Sequence, residues 1–462
     1  MKQRLETTKK ERFAYCLFFL GQNILWGYAG YVETFLTDIG IAAASAALIL
    51  LLPKIWDAVN DVFFGYLMDR FTFRNGQKFM PWVRIGTAAI GITTVALFAI
   101  PQSMGSSGKI IWFLLAYLLF DVSYTVLDAP AFAVTTVMTS DVQERSSIIA
   151  GNKLWGMVGG VVATLLVPLL RPRLGWFTAC VVFAAVSVVM MIPMLFWVKE
   201  RHTAPAGEEN PTLREMLRYL KANKYLTATL ISLLLLGLAS LEQKMAIYTG
   251  RICRGQEIMA TLVAGGAAVS VILVSILVPI ASKKWDKFHV LCVGLAFAIV
   301  MDVVAFFVGY DSLVMAIVKT MLKCSGLGFW SVVIYMLVAD TVEYGTYKTG
   351  TRAAGISFSL QTFVAKMKNS LIGTVVLLSL SSVGFVEGEG AVQPEGVADG
   401  VWALFCLFPA LGFGIALVIL LAFYKLRTKD VQVMSRYNNG QISREEAESL
   451  LAEKYGPAGD RG

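Results

Sequence analysis

The run KIWDAVNDVFFG places Asp57, Asn60 and Asp61 at i, i+3 and i+4, a spacing that puts three oxygen-bearing side chains on one face of a helix. Two carboxylates this close repel each other unless a proton or a metal ion sits between them. A second stripe follows in LLFDVSYTVLDAPAF, where Asp121, Thr125 and Asp128 stand at i, i+4 and i+7. Carboxylates, an amide oxygen and a hydroxyl make the hard-oxygen set that suits a small hard cation. If the two stripes face each other, they form a cation site that needs no positive side chain. The competing arrangement pairs these acids with Lys54, Lys153 or Lys366, or turns Asp61 to water at a helix end.

Other chemistries have little to work with. Six cysteines are scattered singly through apolar blocks without a CxxC pair, which reads as small buried hydrophobes rather than disulfides or metal ligands. The two histidines, His202 and His289, stand beside basic residues near expected helix ends and offer no zinc set. No GxSxG, HExxH or Walker-type motif is present, so an enzyme is not expected.

The elements that carry the two stripes are apolar. The chain is 56% hydrophobic and only 16% charged, with a mean hydropathy of +0.65. A water-soluble domain keeps roughly a quarter of its residues charged. Blocks of about 20 apolar residues, the length that crosses a bilayer as a helix, recur near 12–36, 43–69, 82–101, 109–138, 147–170, 174–198, 225–249, 257–281, 288–309, 312–339, 353–384 and 400–425. The first block is too long for a signal-peptide core and lacks a small-residue cleavage site, so it reads as a span.

Of the 40 Lys and Arg, only Lys109, Arg171, Arg173, Arg251 and Arg254 fall in the odd-numbered loops. Positive charge stays on the cytoplasmic side of short loops, which places both termini there. The net charge of +8 follows from this bias and calls for no nucleic-acid partner.

A charge at mid-bilayer costs roughly 2.5–3.5 kcal/mol on insertion scales, so the acids of the second and fourth spans need a function. Lys366 and Lys368 in the eleventh span are two apart and point to different faces; Lys366 is the candidate for the cavity. Glu242 with Lys244, Asp302, Lys319 and Lys323 stand near span ends, where charged side chains usually reach the interface.

The polar stretch after Trp197, KERHTAPAGEENPTLREMLRYLKANKYL, divides the chain. The expected domains are a six-helix bundle over 1–198, a linker with a short helix over 199–224, a second six-helix bundle over 225–428 and a cytoplasmic tail over 429–462. Asp141, Glu144 and Lys153 recur at the spacing of Asp340, Glu343 and Arg352, a weak internal repeat. Duplicated six-helix halves mark the major facilitator architecture. In the tail, Ser443 and Glu446 offer a capping box to a short helix expected at the surface.

Five segments in order then resemble the glycoside–pentoside–hexuronide:cation symporter family, the family of melibiose permease within the major facilitator superfamily. They are WDAVND, DRFTFRNGQKFMPW, YTVLDAP, SDVQERS and ADTVEYGTYKTGTRAAG. The resemblance implies an all-α membrane protein of twelve transmembrane helices in two bundles, with a central cavity worked by alternating access. It implies a cation site of Asp57, Asn60, Asp61 and Thr125, taking Na⁺, Li⁺ or H⁺ and no other cofactor. It places Tyr124, Asp128, Phe132, Lys153 and Lys366 with the sugar. Asn23 stands where melibiose permease has a carboxylate, and Phe132 where it has a tryptophan. The sugar site is thus rebuilt and more positive, which favours an acidic sugar or glycoside.

Asp69, Arg70, Arg74, Asp141, Arg145, Asp340 and Arg352 are candidates for cytoplasmic ion-pair latches. The expected protein is a monomer in a bacterial inner membrane. An uncoupled facilitator or an amphiphile carrier of the same fold is the alternative.

Overall fold

The computed structural model describes residues 5–70, 73, 76–139, 141–202, 219–221, 223–281, 284–312, 314, 318, 320–322, 324–350, 354–451 and 454–455. It is an all-α membrane protein of the twelve-helix major facilitator type. Its residues fall into two compact units, Met1–Glu209 with Leu377–Val397, and Asn210–Val376 with Ala398–Gly462. The linker helix expected from Thr212 lies outside the described residues except for its last turn.

In the first unit, α1 (Lys9–Ala29) and α2 (Val32–Asp38) make one broken span. A capping box starts it: the Thr8 hydroxyl accepts from Glu11 N while the Glu11 carboxylate accepts from Thr8 N. Then come α3 (Ala43–Arg70), α4 (Met80–Phe98), α5 (Ser106–Ala133) with the short α6 (Thr135–Met138), and α7 (Val142–Trp197). The last is two spans joined at Gly175, whose φ of 72° is a left-handed turn that a side chain would strain. Span one lies against α7 so closely that a Cβ on Gly159 would stand 2.4 Å from Leu20 O. Glu200 caps the start of α4, accepting from Lys78 N, Phe79 N and Met80 N at 2.6–2.9 Å.

Two polar hubs close the ends of this unit. At one, Glu144 accepts from Thr7 N at 3.0 Å, from Glu6 N at 3.0 Å, and from the hydroxyls of Thr7 and Thr139. Asp141 caps α7 through Glu144 N at 2.7 Å. At the other end Arg171, 2% exposed, is held by Asp38, while Trp176 Nε1 donates to Asp38 at 2.8 Å. The segment after the eleventh span joins this hub: Glu389 pairs with Arg171 at 2.9 Å, Gly388 N donates to Thr37 O at 3.0 Å, and Glu387 accepts from Ala43 N at 2.7 Å. Arg171 reads from sequence as a loop charge; two carboxylates, Asp38 and Glu389, and the Trp176 indole surround it instead.

The second unit holds α8 (Lys224–Leu235), a 3₁₀ turn (Leu238–Ser240), α9 (Leu241–Arg254), α10 (Ile258–Ala281), α11 (Lys287–Val308), α12 (Ser325–Thr349), α13 (Ala354–Ser382) as far as Val376, and α14 (Val397–Phe423) from Ala398. The tail helices α15 (Thr428–Asn438) and α16 (Arg444–Leu450) follow, the latter capped by Ser443. They are part of the core, with Met434, Tyr437, Leu451 and Tyr455 buried alongside Tyr225, Phe288 and Tyr424. Asn438 ties the tail to Glu343 at 2.8 Å.

Glu242 and Asp302 differ from expectation: they are 2% and 0% exposed. A carboxylate's stem is too short to reach the interface as lysine does, and Glu242 instead accepts from Cys324 Sγ at 3.7 Å. Lys319 and Lys323 lie outside the described residues.

Among the described residues, seven helical stretches are long and apolar enough to cross a membrane, and they cover every span except the first, second, tenth and eleventh. Of those four, the second carries Asp57 and Asp61 and the eleventh carries Lys366 and Lys368. Large apolar side chains such as Leu115, Leu119, Ile276, Phe307 and Val418 face outward, as a lipid-facing surface requires.

Candidate functional site

The second and fourth spans, α3 and α5, pack together, and their oxygen-bearing stripes meet. Asn60, buried on α3, donates from Nδ2 to Thr125 Oγ1 at 2.9 Å and to Asp121 Oδ2 at 3.3 Å on α5. Asp57 and Asp61 lie on α3 itself, but their side chains are outside the described residues. Thr125 is buried as well. A buried hydroxyl and amide with a half-buried carboxylate in one contact can ligate a hard cation or relay a proton.

Beside this contact is a second group of polar and aromatic side chains. Gln22 of α1 is buried and donates from Nε2 to Asp128 Oδ1 at 2.6 Å. One turn further along α1, the Trp26 ring lies 4.4 Å from that of Tyr124. One turn earlier, the Phe19 ring lies 4.7 Å from that of Phe132. Lys153 Nζ stands over Phe132, 5.0 Å from its centroid, in cation–π range. Tyr15 fixes the rotation of span one by donating to Ala131 O at 3.1 Å and accepting from Asn152 Nδ2 at 3.2 Å. Half-buried rings, one carboxylate and an exposed ammonium suit a polyhydroxylated ligand: rings stack on its apolar faces, and polar groups hold its hydroxyls.

Of the residues expected in the sugar site, the structure thus gathers Tyr124, Asp128, Phe132 and Lys153 in the first unit. Asn23 is not with them. Its Nδ2 donates to Phe19 O one turn back at 2.9 Å, and its side chain lies where Cβ atoms on Gly156 and Gly159 would stand. Lys366 lies on α13, and its side chain is outside the described residues. Gln22 and Trp26 are the residues that sequence reasoning left out of the site; Asp121 stands on the expected fourth-span stripe and is absent only from the cation site that the resemblance implies. Tyr15, Phe19, Gln22 and Trp26 form one helical stripe, at i, i+4, i+7 and i+11, which is the signal that could have found Gln22 and Trp26.

The loop acids and bases behave less uniformly. Asp340 pairs with Lys287 at 2.6 Å within the second unit. Asp141 is a helix cap, and Arg145 donates to Thr139 O at 3.0 Å. The side chains of Asp69 and Arg70, together with Arg74 and Arg352, are outside the described residues. The weak repeat is not matched in local structure, because Asp141 precedes α7 whereas Asp340 and Glu343 lie inside α12.

The similarities of the whole chain agree with this architecture. It is 26% identical over 430 residues to the isoprimeverose transporter of Lactiplantibacillus pentosus, covering 90% of this chain and 88% of that one. It is 26% identical over 412 residues to the glucuronide carrier protein homolog of Escherichia coli K12, covering 86% and 88%. The crystal structure of the nucleoside transporter NupG superposes with a TM-score of 0.64 at 15% identity, over 91% of this chain and 100% of that one, a likeness of fold alone. Residues 19–428 match the profile described as MFS/sugar transport protein, and the chain belongs to that family.

Proposed function

We propose that this protein is a symporter that couples entry of a sugar or glycoside to a monovalent cation, Na⁺, Li⁺ or H⁺, by alternating access. The observation that carries the reading is the Asn60–Thr125 hydrogen bond, which joins the polar face of α3 to that of α5. With Asp57 and Asp61 on the same helix as Asn60, this is where acids unaffordable in lipid would gain from a bound cation. A cation there relieves carboxylate repulsion and raises affinity for a sugar held near Asp128. By linkage, the sugar raises cation affinity by the same factor. An uncoupled facilitator would have no use for both aspartates.

The substrate we favour is an acidic sugar or glycoside. The span-one residue that meets Asp128 is the neutral Gln22, and Lys153 lies exposed over Phe132. One relative is named as a glucuronide carrier homolog. An anionic ligand needs cationic donors, whereas a neutral one needs paired acceptors. The protein works as a monomer in the inner membrane with both termini cytoplasmic, and it performs no covalent chemistry.

Reconstituted protein tests both parts. Uptake of labelled neutral and acidic glycosides is measured under imposed Na⁺ or proton gradients. Accumulation above equilibrium, inhibited more strongly by glucuronides than by neutral glycosides, supports the reading. Equal uptake of a neutral glycoside that no anionic one inhibits would remove the acidic-sugar part.

A further inference from the structure

Asp121 has no part in the cation site as proposed, yet it settles how that site presents an oxygen. Asn60 sends its amide nitrogen toward α5, to Thr125 at 2.9 Å and Asp121 at 3.3 Å. Thr125 alone would not fix this orientation, because a hydroxyl both donates and accepts and would bond either end of the amide. Asp121 Oδ2 accepts from the Asn60 nitrogen, and an oxygen that accepts there holds the NH₂ end of the amide toward α5. Asn60 Oδ1 is then turned away from α5 and left for another partner. An amide offers a cation its oxygen and never its nitrogen.

The geometry points to Asp121 as a positioning residue: it holds the Asn60 amide so that the oxygen is presented to the cation. It also adds a negative charge close to the site, which raises the attraction for any cation there. The inference rests on the symport reading and deepens it. The spacing of Asp121 with Thr125 and Asp128 put it on the right stripe, but only the contact with Asn60 gives it a task.

Thermal unfolding of the purified full-length protein in detergent tests this, with NaCl or LiCl titrated against choline chloride at constant ionic strength. A ligand that binds the folded state raises Tm in proportion to the logarithm of its concentration over Kd. Wild type is expected to be stabilised by Na⁺ or Li⁺, and Asp57→Asn to lose the response. Asp121→Asn, whose amide can meet Asn60 with either end, is expected to need about tenfold more cation for the same shift, equivalent to about 1.4 kcal/mol. Its Tm in choline should match wild type, because its effect is on the site and not on packing. Asp121→Glu, an acceptor-only side chain again, should recover most of the affinity. If Asp121→Asn does not fold, Asp121→Ser is read in the same way.

An unchanged cation requirement in the Asp121 variants of a responsive protein overturns the assignment and leaves symport standing. A uniformly lower Tm with the cation requirement unchanged makes Asp121 structural and also overturns it. A wild type that answers to neither Na⁺ nor Li⁺ removes the metal-cation form of the symport reading, and this assignment with it.

Discussion

Gln22 Nε2 donates to Asp128 Oδ1 at 2.6 Å, so the carboxylate expected to meet the sugar already has a partner on span one. The bond aims Asp128 and uses one of its acceptor sites. Asp128→Asn keeps the size but removes the charge. A hydrogen bond to a charged group contributes about 1.5–3 kcal/mol, so sugar affinity should fall roughly tenfold to a hundredfold. The half-saturating cation concentration, measured in the same uptake assay, should change much less. Gln22→Ala should raise the KM for sugar by a smaller factor, since it frees the carboxylate without removing it.

On the proposed reading, Lys153 over Phe132 is the group that separates acidic from neutral substrates. Lys153→Ala is expected to lower affinity for a glucuronide by about tenfold or more, the scale of one charge-assisted hydrogen bond. Affinity for the neutral glycoside should change little. Competition of each against a single labelled substrate measures both. Phe132→Trp should keep Lys153 in place, because tryptophan is the better cation–π acceptor.

Arg171 is a structural charge. Removing one partner of a buried ion pair costs about 3–5 kcal/mol, because the other charge is left without compensation. Arg171→Ala should therefore lower Tm markedly and reduce the yield of folded protein, and Asp38→Asn should do so to a lesser degree. Glu389→Gln, at the exposed side of the hub, should have the smallest effect of the three.

Glu144 makes stability depend on acid. Burial works to raise its pKa, but the hydrogen bonds from Thr7, Glu6 and Thr139 prevail and hold the carboxyl below its usual value of 4.5. The folded protein thus binds this proton more weakly than the unfolded chain does. Its contribution is complete above the unfolded pKa and disappears as pH falls through the lower folded value. Glu144→Gln should lower Tm near neutrality and flatten its decline below about pH 5, as read from Tm against pH.

The spans were legible because the bilayer imposes a single length and an apolar surface on each helix, and the facing of α3 and α5 was legible in two stripes of regular spacing. The rotation of span one was legible too, though not from the resemblance. Gln22 and Asn23 are neighbours about 100° apart on the helix, and the resemblance points to Asn23 although the stripe of Tyr15, Phe19, Gln22 and Trp26 marks Gln22 as the one that meets Asp128. Arg171 looked like a loop charge because Asp38 is distant in sequence, and nothing local marks the pair. The tail likewise reads as soluble by composition, yet Met434 and Tyr437 pack into the second unit. Long-range partners decide the cases of Arg171 and the tail, and periodicity carries no information about them.

The central claim is cation coupling, and gradient-driven uptake in proteoliposomes tests it most directly. With a labelled sugar panel and an imposed Na⁺ or proton gradient, wild type should accumulate its substrate above equilibrium. Asp57→Asn and Asp61→Asn should only equilibrate it. Accumulation that is unchanged in both variants would mean that these aspartates are structural, and it would contradict the account.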